Sequence, residues 1–309
     1  MRIGVDIGGT KCAVVLGDQN GIVKKIYFET TTPTETLSNI EKAVQTLLSE
    51  NGAEAIGISC GGPLDAKNGI ILSPPNLIGW DHVHITDRLS ELFKIPAYLC
   101  NDADACALAE HRYGSGRGTE NMIFLTFGTG MGAGLILNGK LYSGTNGTAG
   151  EIGHVRLSDY GPVGFGKQGS FEGFCSGGGI AQLGKFKAME RMQQGNPLPY
   201  CQSVKDLDKI TAKLLAEKAH EGDDTAKEVY RISGEMLGRG LSILIDVLNP
   251  EMIVIGSIFS RSGDLLIPSM EETLKKEAIS SSRRNCRIVP AMLGEQIGDY
   301  GALAVSYGI

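Results

Sequence analysis

No stretch of this chain approaches the apolar length of a membrane span, and Met1-Arg2 runs straight into Ile3-Gly4-Val5-Asp6, too short and too quickly polar for a signal peptide. A cytoplasmic protein with no membrane contact is the expectation. Positive charge is not in surplus either: the formal net charge is -6, which leaves no basic footprint for nucleic-acid phosphates. Cysteine is sparse and unpatterned. The seven residues at 12, 60, 100, 106, 175, 201 and 286 are odd in number and form no C-x-x-C pair, which suits reduced thiols rather than a disulfide framework. The G-x-x-x-x-G-K-[ST] phosphate loop is missing, so a P-loop enzyme is excluded on pattern. Gly164-x-Gly166-x-x-Gly169 matches the dinucleotide fingerprint letter for letter, yet no apolar strand precedes it and no clear helix follows, so a Rossmann reading fails on context.

What is present describes a folded α/β chain. Apolar residues make up 42% and charged residues 21%, far from the signature of disorder, and 309 residues exceed what one core comfortably serves. Glycine is the compositional excess, clustered where the backbone must turn sharply or approach a ligand. Ile3–Asp6, Cys12–Leu16 and Ile22–Glu29 read as a β-meander, with the Gly-Gly-Thr loop between the first two and turn chemistry at Asp18-Gln19-Asn20-Gly21 before the third. Thr36–Ser49 has helical spacing, Ala55–Ser59 and Pro96–Cys100 read as strands, and Asp102–Tyr113 as a helix. The pattern then restarts: a strand over Met122–Thr126, the loop Phe127-Gly128-Thr129-Gly130, a strand over Gly132–Leu137 and an Asn138-Gly139 turn. This recurrence is a weak internal duplication. A long helix over Thr225–Leu248, a strand over Met252–Ile255, a helix over Leu265–Ala278, a strand over Arg287–Pro290 and a helix over Ile297–Tyr307 complete two mixed α/β domains, with Gly114–Gly118 as the candidate linker.

In both copies a glycine-rich turn joins two strands, so successive N–H groups can point into one concavity while Thr10 and Thr129 add hydroxyl donors. One Gly-Gly-Thr alone is an ordinary turn; two, from two domains, could close on a triphosphate. Asp6 could then reach magnesium directly or through water, and Lys11 could offset phosphate charge. Asn101-Asp102-Ala103-Asp104 follows a strand and opens a helix, so Asp102 or Asn101 reads first as an N-cap. Glu151, His154 and Glu172 read, residue by residue, as ordinary surface or partnered groups.

Asp6-Ile7-Gly8-Gly9-Thr10-Lys11, Asn101-Asp102-Ala103-Asp104, Gly128-Thr129-Gly130-Met131-Gly132 and Gly150-Glu151-Ile152-Gly153-His154 occur in that order, and together they resemble the ROK family of repressors and kinases over essentially the whole chain. The resemblance implies a duplicated, two-domain actin-like ATPase fold related to ribonuclease H. Residues 1–115 would form a small domain joined by a terminal helix over 296–309, and 116–295 a large one. It implies a homodimer that uses ATP and Mg²⁺ to phosphorylate a hydroxyl of a hexose or N-acetylhexosamine. On matching positions, Asp102 would be the catalytic base, and Asn101, Glu151, His154 and Glu172 would bind sugar hydroxyls, with Gly62 and Asn76 covering the sugar. Asp6, Gly8, Gly9, Thr10 and Lys11 would form one phosphate loop, with Asp6 on Mg²⁺, and Thr126, Gly128, Thr129 and Gly130 the other. Gly256 would open the adenosine segment.

Two departures from the family stand out. Ser257-Ile258 follow Gly256 where further glycines are usual. The zinc motif aligns with Val163, Phe165, Gly166, Gly169 and Ser170, so its three cysteines are gone and no zinc site is expected; Val163 and Phe165 suggest that apolar packing holds this loop instead. The rival readings are a sugar-sensing repressor, for which a phosphate-loop strand starting at residue 3 leaves no room for a DNA-binding domain, a non-catalytic sugar-binding relic, and an acyl-phosphate kinase or ATPase on the same fold.

Overall fold

A computed structural model describes residues 1–308, apart from the side chain of Glu50. Ile309, the last residue of the expected terminal segment, lies outside the described residues. The main strands are β1 (Arg2–Ile7), β2 (Lys11–Asp18), β3 (Gly21–Glu29), β4 (Ile56–Cys60), β5 (Ala97–Asn101), β6 (Met122–Leu125), β7 (Ala133–Leu137), β8 (Lys140–Leu141), β9 (Met252–Ile255) and β10 (Arg287–Pro290). They form two five-stranded sheets, ordered β3-β2-β1-β4-β5 and β8-β7-β6-β9-β10. In the first, β1, β2 and β3 pair antiparallel while β4 and β5 continue parallel. In the second, β7 and β8 form an antiparallel hairpin and β9 pairs parallel with β10. Two sheets with the same order, each led by a glycine-threonine loop, are the duplication expected from the sequence.

Contacts gather the chain into two units. One holds Met1–Phe124, Gly134–Ala149 and the chain from Ala291 onward; the other holds Leu125–Ala133 and Gly150–Pro290.

In the first unit β2 is buried on both faces. Val14 and Leu16 join the cluster of α1 (Pro33–Asn51), whose Leu37, Ile40, Val44 and Leu47 form its buried stripe, and Val15 faces the terminal helix α10 (Ile297–Val305) through Leu303 and Ala304. Each such fully buried aliphatic side chain contributes roughly 1.5–3 kcal/mol. Gly4 and Gly57 let α10 lie directly on the sheet: a Cβ there would fall 2.5 Å from the Leu303 nitrogen and 2.2 Å from the Ala302 oxygen. The terminal helix α10 belongs to the first unit and ends at Val305. Gly114–Gly118 is not an open linker. It is a turn wrapped on buried Glu110, whose carboxylate accepts from the backbone N–H groups of Ser115, Met292 and Leu293.

The second unit is built on α7 (Asp224–Leu248) packed against α8 (Ile258–Glu277). α8 starts seven residues before the expected Leu265, because its first turn continues across a kink at Ser262 (φ -139°) that breaks the apolar spacing. α4 (Phe171–Phe174), α5 (Gly177–Gln193) and α6 (Ala212–His220) precede this pair; α2 (Ile85–Phe93) and α3 (Asp102–Tyr113) lie in the first unit, and α9 (Ser280–Asn285) follows α8.

Candidate active site

The first loop of the first unit is built by close backbone approach. The Gly8 N–H donates to the Lys11 carbonyl at 3.1 Å, and the Thr30 hydroxyl donates to the Gly8 carbonyl at 2.6 Å. A Cβ on Gly9 would lie 2.6 Å from the Asn76 carbonyl oxygen, so only glycine lets the segment carrying Asn76 sit against this loop. Leu77 and Trp80 bury that segment, while Gly9, Thr10, Lys11 and Asn76 are exposed.

Asn101 and Asp102 stand where β5 becomes α3. Asn101 is the N-cap, its Oδ1 accepting from the Ala103 N–H at 3.0 Å, and Asp102 Oδ1 accepts from the same N–H at 2.8 Å. The cap therefore uses the Asn101 oxygen, and its Nδ2 lies on the Gly62 side, 3.4 Å from where a Cβ of Gly62 would be. Asp102 is exposed and lies beside Gly61.

Asp6 is a strongly perturbed carboxylate. Burial first, then the charges of Asp299 and Asp102, push its pKa up from 3.8 to about 6, against the pull of Lys25 and Lys11. Asp299, nearly fully buried in α10, is ion-paired to Lys25 of β3. A cavity of about 280 Å³ opens here, lined among others by Asp6, Lys11, Lys25 and Asp299. Lys25 holds Asp299, while Asp6 presents a carboxylate to this cavity, an oxygen donor of the kind a hard cation takes. Sequence reasoning missed Lys25, Asp299 and Gly298. The signal was a lone acid inside the otherwise apolar Ile297–Val305 run, preceded by a glycine whose Cβ would meet Asp6 Oδ2 at 2.6 Å.

The second unit carries the other loop and the remaining acids. The Thr126 hydroxyl accepts from the Gly132 N–H at 2.8 Å and so clamps its own loop, the Gly128 N–H donates to the Gly130 carbonyl, and the Thr129 side chain is exposed. The Gly177 N–H closes on the Gly128 carbonyl at 2.8 Å, and the N–H groups of Gly256 and Ile258 on the Leu125 and Phe127 carbonyls, which brings the Gly256 segment against this loop. Ser257 has φ 53° and ψ -109°, a backbone that favours glycine, so the serine keeps a glycine conformation where the family has further glycines. Glu172 Oε2 accepts from the Met131 N–H at 3.0 Å, tying this carboxylate to the end of the loop. Glu151 precedes the short helical turn Ile152–His154 and His154 ends it, and Gly153 within the turn packs against Met131 and Glu172.

The expectation that Val163 and Phe165 pack this region in place of a metal is overturned. Val163 is 46% and Phe165 82% exposed. Polar clamps hold the loop instead: Gln182 Oε1 accepts from the Val163 N–H, its Nε2 donates to the Val163 carbonyl, and Lys167 Nζ donates to the His154 carbonyl. The zinc positions do not fit the metal. Ser170 Oγ caps α4 on the Gly173 N–H, and Cys175 is buried in the core with its thiol donating to the Ser233 carbonyl. Among the described residues no group of three or more His, Cys, Asp and Glu is gathered for a metal, and no helix is long and apolar enough to cross a membrane.

The family model "ROK family" matches residues 2–307. The chain is 31% identical over 312 residues to a glucokinase of Thermotoga maritima, covering 98% of this chain and 96% of that one. It is 30% identical over 268 residues to a xylose repressor of Caldicellulosiruptor bescii, covering 86% and 65%. Among solved structures it resembles a ROK family glucokinase of Streptomyces griseus in complex with glucose and AMPPNP, with 30% identity, 99% of each chain covered and a TM-score of 0.75. From these matches and the repeated sheets, the chain belongs to the ROK family and has its duplicated actin-like ATPase fold.

Proposed function

We propose that this chain is an ATP-dependent kinase for a hydroxyl of a hexose or N-acetylhexosamine, a glucokinase-like enzyme. The observation that supports the reading is the hydrogen bond from the Met131 N–H to Glu172, which ties the carboxylate proposed to bind a sugar hydroxyl to the glycine-threonine loop proposed to hold phosphate. The likeness to a glucokinase solved with glucose and an ATP analogue supports it.

A sugar hydroxyl is a poor nucleophile at neutral pH. Asp102 accepts its proton as the bond to phosphorus forms, and the Asn101 amide, whose oxygen is spent on the cap, donates to a hydroxyl through Nδ2. Glu151 and Glu172 accept from hydroxyls, and His154 contributes a ring nitrogen. An analogue lacking one of those hydroxyls leaves a carboxylate unpaired and is rejected. Lys11 and the N–H groups of Gly8, Gly9 and Thr10 serve phosphate oxygens, as do Gly128, Thr129 and Gly130. Thr126 supports its loop, Gly256 contacts the nucleoside, and Gly62 and Asn76 border the sugar. Asp6 is the residue that would hold Mg²⁺ with ATP; the ion supplies positive charge to the phosphates. We expect a homodimer, measurable by light scattering.

The repressor relative supports a second reading, a sugar sensor without turnover. ADP release separates the two. With ATP and Mg²⁺, one or more of glucose, fructose, mannose, allose, N-acetylglucosamine and N-acetylmannosamine should drive it well above the sugar-free rate. Sugar binding with no sugar-dependent release would favour the sensor.

A further inference from the structure

The hairpin over 163–168 holds a residue that neither its turn nor its packing explains, and what it does is inferred on the basis of the sugar-kinase reading. Val163 pairs with Gln168 and Gly164 with Lys167, leaving a two-residue turn at Phe165 and Gly166. Both turn residues have positive φ, 43° and 76°. Turns of this kind suit Asn or Asp followed by Gly, and a bulky aromatic at the first position is a steric outlier. Burial does not compensate for it, since Phe165 is 82% exposed. The hairpin is also held by other groups: Gln182 clamps Val163, Lys167 holds the His154 carbonyl, and Gly164 packs against Glu172 so closely that a Cβ would lie 2.8 Å from the Cβ of Glu172.

What Phe165 does touch is His154, edge to face, with ring centroids 5.1 Å apart and planes at 88°. The strained, exposed ring thus stands beside an imidazole, on a hairpin abutting Glu172. Polar groups that take hydroxyls, joined by one flat apolar surface, are the composition of a saccharide subsite, because a pyranose presents hydroxyls at its rim and C–H groups on its faces. Backbone strain kept at such a place points to function rather than packing. We propose that Phe165 is a sugar-contacting specificity residue, its ring covering a C–H face of the hexose beside the hydroxyl held by His154.

The test uses the full chain and three variants. Phe165→Gly and Phe165→Asn both suit the left-handed backbone and remove the ring, while Phe165→Tyr keeps it. On the best sugar of the wild type, the Gly and Asn variants should raise the sugar KM about tenfold, the scale of losing one apolar contact, with kcat and the ATP KM within about twofold. Their melting temperatures should not fall, and Phe165→Tyr should keep the sugar KM within about threefold of wild type. An unchanged sugar KM in the Gly and Asn variants overturns this inference and leaves the kinase reading standing. A lower melting temperature, or an equal rise in the ATP KM, assigns Phe165 a structural role and overturns it as well. A wild type that neither binds nor phosphorylates any hexose removes the kinase reading and this inference together.

Discussion

Replacing Asp6 by Asn should make the protein more stable at neutral pH and less active, and the size of the first effect follows from the place of the carboxylate. Burial, Asp299 and Asp102 raise its pKa to about 6 in the fold, against 3.8 for an ordinary carboxyl. The sign follows from linkage. A carboxyl whose folded pKa is raised stabilises the fold fully below about pH 3.8, and that contribution is lost as pH rises through about 6. At pH 5 the folded group is about nine-tenths protonated and the unfolded one hardly at all, which is worth about 1.4 kcal/mol; by pH 8 nothing of this remains. Asparagine does not titrate. The stability of Asp6→Asn relative to wild type should therefore grow by about 1.4 kcal/mol, or somewhat less where solvent screens the group, between pH 5 and pH 8.

Trp80 supplies the probe for that measurement. It is the single tryptophan and is buried in the same core as β1, so its fluorescence follows unfolding of the unit that holds Asp6. Urea melts of both proteins at pH 5, 6, 7 and 8, with chelator and without nucleotide, give the difference at each pH. A difference that stays constant across this range would refute the reasoning, because the crowding of Asp6 would then carry no electrostatic cost. The same substitution should sharply reduce turnover with ATP and Mg²⁺.

Gly298→Ala should keep or improve helix stability yet lower kcat by about tenfold or more, since its Cβ would displace the Asp6 carboxylate from 2.6 Å; steady-state kinetics across a Mg²⁺ titration checks it. Ser257→Gly should raise stability by about 1 kcal/mol in denaturant melts, because glycine adopts φ 53° without the serine's steric penalty. Metal analysis of protein purified without chelator should find well under one zinc per chain, and chelator should spare activity once magnesium is restored.

The meander, the two glycine-threonine loops and the β5–α3 junction were legible in the sequence because local rules decide them: short apolar runs set the strands, turn residues the loops, and the Asn101-Asp102 pair the start of the helix. α5 was not, since it opens on Gly177-Gly178-Gly179, a poor helix start by propensity. Its glycines are explained by neighbours that sequence order does not reveal, Gly179 lying on the Gly173 carbonyl and Gly184 on Leu215. The Lys25–Asp299 pair was hidden for the same reason, its partners lying 274 residues apart. Phe165 was misread because an apolar residue in a loop suggests burial, whereas here a two-residue turn holds it outward. Motif order brought Asp6, Asn101, Asp102, Glu151, His154 and Glu172 forward as candidates, but the Asn101 cap, the Thr126 clamp and the Glu172–Met131 bond required coordinates.

The most direct test of the central claim compares wild type with Asp102→Asn on the best sugar, measuring turnover by ADP release and sugar affinity by calorimetry. The amide keeps the size of the side chain and loses the proton acceptor. Sugar affinity should stay within about threefold while kcat falls by roughly two to four orders of magnitude, the usual worth of a positioned base. Turnover within about tenfold of wild type, with sugar binding intact, would contradict the account.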